Sequence, residues 1–180
     1  MKKELFETIE IPEEVEVKIE GDIVEAKGSE GENKKEFDTT NLTLKKEDNQ
    51  IIIGNKKATK REKKRINTLA SHIRNMIKGV QEKFEYQLKV CFSHFPMTVE
   101  IQGNEAIVKN FLGEKIPRKV KIPEGVEINI DKEKININSV DKELAGQTAA
   151  NFEMATKVPM KDRRVFQDGI YIIDKAGRKM

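Results

Sequence analysis

The string VKIEGDIVEAKGSEG, starting at Val17, returns as VEIQGNEAIVKNFLG from Val99, an offset of 82 residues. Each copy reads as a β-hairpin. Val17 and Ile19 face Ile23 and Val24 across Gly21-Asp22, while Val99 and Ile101 face Ile107 and Val108 across Gly103-Asn104. A second hairpin follows in each half, LTLKKEDNQIII from Leu42 and INIDKEKININ from Ile128. In the latter Ile128, Ile130, Ile135 and Ile137 alternate with polar residues, so one face of a sheet is buried and the other wet. Each half then supplies a helix. Such a repeat constrains a chain of 180 residues to two similar small domains rather than one large core, each long enough to bury a core of its own.

The first helix has a capping box, Thr59 with Glu62, followed by Ile66, Leu69, Ala70, Ile73, Met76, Ile77 and Val80 on one stripe. The second starts near Ser139 or Asp141, with Leu144, Ala145, Thr148, Phe152 and Ala155 inward. A rival alignment sets IPEEVEV from Ile11 on IPEGVEI from Ile122, but only the offset of 82 keeps the order hairpin, hairpin, helix. The expected fold is α+β: two tandem similar domains, residues 1–82 and 83–180, each a small antiparallel sheet packed with a helix.

Net charge is only +3, yet the charges come in blocks. Residues 1–32 hold eleven acids against four lysines, and residues 55–83 hold ten Lys or Arg against two acids. Residues 109–121 carry five bases to one acid, and 155–180 seven to three. Blocks of one sign let a protein lay one surface on a polyanion while another stays solvated; taken singly, each block also fits a solvated helix face or loop.

Other chemistry finds little footing. Cys91 is the only cysteine, which excludes an intramolecular disulfide framework and fits a reducing compartment. Cys91 and His94 have the spacing of half a metal site, but His72 is the sole further candidate of those types, so no metal or cofactor is expected. Gly28 and Gly31 lead into Asn33-Lys34-Lys35 rather than a helix, and neither Ser71 nor Ser93 sits in a nucleophile elbow. The chain has no apolar run near the roughly 20 residues that span a bilayer, and its first residues lack a signal peptide's apolar segment. The expectation is a cytosolic, non-enzymatic protein.

Nucleic-acid binding draws on three features, all in the second half. Lys115, Arg118, Lys119 and Lys121 follow Gly113 in a loop and strand where long cations reach phosphates. Gly146, Gln147 and Thr148 lie among alanines in the first turns of the second helix, where a backbone can approach closely; tight helix-on-sheet packing explains them equally well. VPMKDRRVF, from Val158, then places Lys161, Arg163 and Arg164 beside Phe166, with Lys157 just before it. Arg forks and an aromatic face suit phosphates and exposed RNA bases.

The segment Arg164-x-Phe166-x-Asp168-Gly169-Ile170-Tyr171-Ile172-x-x-Lys175 resembles the signature of the universal large-subunit ribosomal protein six family in its archaeal and eukaryotic form. Ser93-His94-Phe95-Pro96-Met97, Asn110 to Lys115 and Gly146 to Ala150 are similar to further segments of the archaeal version. Met154 departs from it, many members having Gln there. The resemblance runs over essentially the whole chain. It implies a ribosome-bound, cytoplasmic component of the large subunit that binds large-subunit rRNA through its second domain. The first domain would be structural, facing protein or in part RNA. The place implied is near the base of the flexible stalk, beside neighbouring ribosomal proteins and close to the sarcin-ricin loop that translation factors approach. The implied RNA-binding set is Lys115, Arg118, Lys119, Gly146, Gln147, Thr148, Lys157, Lys161, Arg163, Arg164, Phe166 and Lys175. A free-standing RNA-binding regulator or assembly factor, and an enzyme with a site split between domains, are the rival readings.

Overall fold

The structure is a computed structural model that describes residues 3–180. One compact unit ends at Lys83 and the other begins at Phe84. The first contains strands β1 (Lys3–Glu10), β2 (Glu16–Glu20), β3 (Ile23–Gly28), β4 (Gly31–Glu36), β5 (Thr43–Glu47) and β6 (Gln50–Ala58), then helix α1 (Lys60–Gln81). The second contains β7 (Phe84–Cys91), β8 (Thr98–Gln102), β9 (Glu105–Lys109), β10 (Arg118–Lys121), β11 (Val126–Asp131) and β12 (Lys134–Ser139), helix α2 (Lys142–Ala155), and finally β13 (Gly169–Lys175) and β14 (Arg178–Lys179).

Each unit holds two antiparallel sheets where the sequence suggested one. In the first the orders are β1-β6-β5 and β2-β3-β4; in the second they are β11-β12-β7-β13-β14 and β10-β9-β8. The duplicated hairpins coincide as expected, with Gly21 and Gly103 at φ +61° and +60°, turn conformations that glycine adopts without steric cost. Strands β1 and β7 are also equivalent: Ile11 donates its N–H to the Asn49 carbonyl at 2.7 Å, as Val90 does to that of Glu133 at 2.7 Å. What the second unit adds is β13, which pairs antiparallel with β7 in the register Ile170–Val90 and Ile172–Leu88.

Helix α1 starts where its capping box dictates, Arg61 N–H donating to Thr59 Oγ1 and Thr59 N–H to Glu62 Oε2. All seven residues of the expected stripe are buried. A Cβ on Gly28 would fall 2.6 Å from the Val80 carbonyl oxygen, so glycine is what lets β3 approach the end of α1. In the second unit Asp141 caps α2 by accepting from Glu143 N–H at 2.8 Å. Ala145, Ala149 and Phe152 pack from α2 onto Tyr86, Leu88, Ile135, Ile137 and Ile170 of the five-stranded sheet, and Val108, Phe111 and Val120 extend that core. Phe152 and Phe111 are among its largest fully buried side chains. Among the described residues no helix is long and apolar enough to cross a membrane.

Candidate nucleic-acid interface

The chain between α2 and β13 is tied down at both ends. At its start Thr156, buried, donates from Oγ1 to the Phe152 carbonyl at 3.3 Å and accepts the Ile170 N–H at 2.9 Å. One hydroxyl thereby joins the end of α2 to the first residues of β13. At the other end Asp168 is 2% exposed. Its Oδ1 accepts from Ser93 N–H at 3.0 Å and Ser93 Oγ at 2.7 Å, and its Oδ2 meets His94 Nδ1 at 2.9 Å and His94 N–H at 3.3 Å. Burial pushes this carboxyl up, but the donors from Ser93 and His94 outweigh burial and hold it below the usual range. Phe166 completes the fastening, stacked on the His94 ring with centroids 5.0 Å apart and planes 16° from parallel.

Between these anchors the loop is internally organised by Asp162. Its carbonyl accepts the N–H groups of Val165 at 3.1 Å and Phe166 at 2.8 Å, and its Oδ1 accepts that of Arg164 at 2.9 Å. Hydrogen bonds from the Arg164 side chain and backbone lower the Asp162 carboxyl. Outward, Lys157, Lys161, Arg163 and Arg164 are all exposed. Arg163 lies 3.8 Å from Glu153 and over the Tyr171 ring at 5.8 Å; Arg164, 88% exposed, pairs among the described residues only with nearby Asp162, at 2.8 Å. Interleaved with these cations are Met160 and Val165, exposed at 104% and 85%. The loop thus presents cations and bare apolar side chains together on one exposed segment. The space between Glu153, Lys157, Phe166 and Tyr171 amounts to about 10 Å³, far below the several hundred Å³ of a small-molecule site.

Arg118 brings the other cationic segment to the same place. Its Nη1 donates to the Ala155 carbonyl at 2.7 Å, at the end of α2, while Nε and Nη2 grip Glu114 and the guanidinium lies 4.4 Å from the Phe111 ring centroid. The Glu114 carboxyl is held below its usual range by Arg118. Arg118 is therefore a clamp within the protein, three of its five N–H donors being used on Glu114 and Ala155. Beside it Lys115 and Lys121 are exposed with no charged partner among the described residues, Ile116 is 82% exposed, and Lys119 pairs with Glu105 at 3.0 Å.

The remaining residues of the expected set fall elsewhere. Thr148 is a correction: it is fully buried and its hydroxyl donates to the Leu144 carbonyl at 2.8 Å, so it packs α2 on the sheet and cannot meet RNA. Gly146 is where α2 passes Tyr86, a Cβ there falling 3.2 Å from the Tyr86 hydroxyl, which is the packing role. Gln147 is exposed and bonds to Asn151 at 2.9 Å. Lys175 lies at the far end of β13 from the loop, opposite Tyr86 in the ladder, roughly 20 Å away along a seven-residue strand. The tethers Ser93, His94, Thr156 and Asp168 were not among the site residues expected. The Asp168-Gly169 pair reads as a turn, and only the resemblance of Ser93 to Met97 hinted that this stretch was special.

The family model for Ribosomal protein L6 matches the chain twice, over residues 11–83 and 95–169, once within each unit. A large ribosomal subunit protein uL6 from Methanococcus vannielii is 44% identical over 172 residues, covering 96% of this chain and 94% of that protein. Its counterpart from Staphylothermus marinus is 48% identical over 174 residues, with 94% of each chain covered. That of Archaeoglobus fulgidus is 43% identical over 172 residues, covering 93% and 88%. The matched segments take in both copies of the repeat and the loop between α2 and β13, and the chain belongs to the ribosomal protein L6 family.

Proposed function

We propose that this chain is a non-catalytic structural component of the large ribosomal subunit, bound to large-subunit rRNA mainly through its second unit. The observation that carries the reading is the loop from Lys157 to Gln167. Thr156 and Asp168 fix it at both ends, and it turns Lys157, Lys161, Arg163, Arg164 and two bare apolar side chains outward. Preorganised cations lose little conformational freedom on binding phosphates, and the exposed Met160 and Val165 gain burial. Lys115, joined to this surface through the Arg118 clamp, widens it, with Lys119 and Gln147 as further contacts. Gly146 and Lys175 belong to a separate area around Tyr86 and would touch RNA only if the contact extended along β13. Phe166 acts through His94 to hold the loop.

The place proposed is near the stalk base, among other large-subunit proteins and close to where translation factors approach, in the cytoplasm. Sedimentation of cell extract through a sucrose gradient at high salt tests this. The chain should travel with the large subunit. Recovery only at the top of the gradient, bound to a short RNA, would support a free-standing regulator or assembly factor instead.

A further inference from the structure

We infer that the first unit carries a second, separate RNA-binding surface, formed by the end of β6 and the first two turns of α1 and addressed to the phosphate backbone. The inference rests on the ribosomal reading but concerns the other unit. Within nine residues lie Lys56, Lys57, Lys60, Arg61, Lys63 and Lys64, all exposed. The one acid among them, Glu62, has its carboxylate taken by the Thr59 cap. Among the described residues none of the six side chains has a carboxylate partner. Several cations elsewhere do: Arg65 has Asp38 and Arg74 has Glu7, and in the second unit Arg118, Lys119, Arg163 and Arg164 pair with acids, while among the described residues Lys115 and Lys121 do not.

This arrangement works against the fold that carries it. The opening turns of a helix are the positive end of its dipole, where acids stabilise and bases do not. Lys60 also stands three and four residues from Lys63 and Lys64, and Arg61 three from Lys64, spacings at which like charges repel. Helix α2, by contrast, opens with Asp141 and Glu143. A polyanion would offset both costs together. Beside the cluster is an open groove of about 910 Å³, floored by Leu5 and Ala58 and edged by Lys60, Arg61 and Lys63, with Glu4 its one carboxylate. An apolar floor under a cationic rim suits a ribose or base whose phosphates lie on the rim.

The test uses the full-length chain and in vitro transcribed large-subunit rRNA from the organism that encodes it. In a variant with Lys60→Gln, Arg61→Gln, Lys63→Gln and Lys64→Gln, affinity should fall and the slope of log K against log salt should flatten by up to about 2.8 to 3.6, at roughly 0.7 to 0.9 per lost phosphate contact. Its melting temperature should be equal to or above that of wild type, since repulsion has been removed. An unchanged slope would overturn the inference. So would an unchanged slope combined with loss of the variant from large subunits, which would point to an acidic protein partner. Wild-type chain that fails to bind this RNA would refute the proposed function itself, an outcome visible before any variant is made.

Discussion

Asp168→Asn is expected to destabilise the second unit by about 3 kcal/mol, because a buried carboxylate accepting from hydroxyl, imidazole and backbone donors is replaced by an amide that turns an N–H toward some of them. For a unit of the size of Phe84–Met180 that is a drop of roughly 12 to 24 °C in its melting transition. The size follows from what the carboxylate joins. Ser93 and His94 lie 75 and 74 residues away in sequence, so the contact closes the loop after β7 onto the start of β13. The pH dependence has a definite sign. The folded carboxyl is held below its ordinary value, so its contribution is complete above that value and is lost as pH falls through the folded pKa. The gap between wild type and variant should thus be full at pH 7 and close progressively below about pH 4. Melting curves of both proteins from pH 7 to pH 3 check this. A constant gap across that range would mean the carboxylate is not the tether.

Replacing Lys161, Arg163 and Arg164 together by Ala should cut the affinity for large-subunit rRNA and flatten the slope of log K against log salt by at most about 2.7, near 0.9 for each duplex phosphate released. Arg164 should contribute least, because it exchanges its bond to Asp162 for one to phosphate rather than gaining a new one. The melting temperature should barely change, since all three side chains are exposed. Phe166→Ala should show the opposite profile. Its ring stacks on His94, so the loss is of packing: lower stability and looser binding with nearly the same slope. If the triple variant keeps the wild-type slope, these cations face solvent in the complex and the loop is not the RNA contact.

Where the sequence was readable, the determinants were local. The repeat shows because its glycine turns and flanking apolar pairs recur at one spacing, and α1 shows because Thr59 and Glu62 cap a periodic stripe. The second sheet of each unit was hidden for a physical reason. Strand β4, GENKKE, has no buried residue and hence no alternation to detect, while β10 has only Val120 buried. The alternation of Phe84, Tyr86, Leu88 and Val90 in β7 is plain, but nothing local says that Ile170 and Ile172 will pair with it across some eighty residues. The site divides the same way. Residue type identified the cations, while orientation decided their roles: Arg118 turned inward onto Glu114 and the Ala155 carbonyl, and Thr148 turned its hydroxyl back on its own helix. Asp168, the residue that holds the loop, looks like half of a turn until Ser93 and His94 fold against it.

The division of labour between the units is the centre of this account, and separate expression tests it. Each unit has its own sheets, helix and buried core, so residues 84–180 and 1–83 should each fold alone. Filter binding to large-subunit rRNA, with an unrelated RNA of equal length as competitor, then assigns affinity and preference. Residues 84–180 should bind with the preference of the full chain and an affinity within about tenfold of it, roughly 1.4 kcal/mol. Residues 1–83 should bind weakly, lose that binding as salt rises, and be displaced equally by either RNA. Specific, salt-resistant binding by residues 1–83, with none by 84–180, would contradict the account.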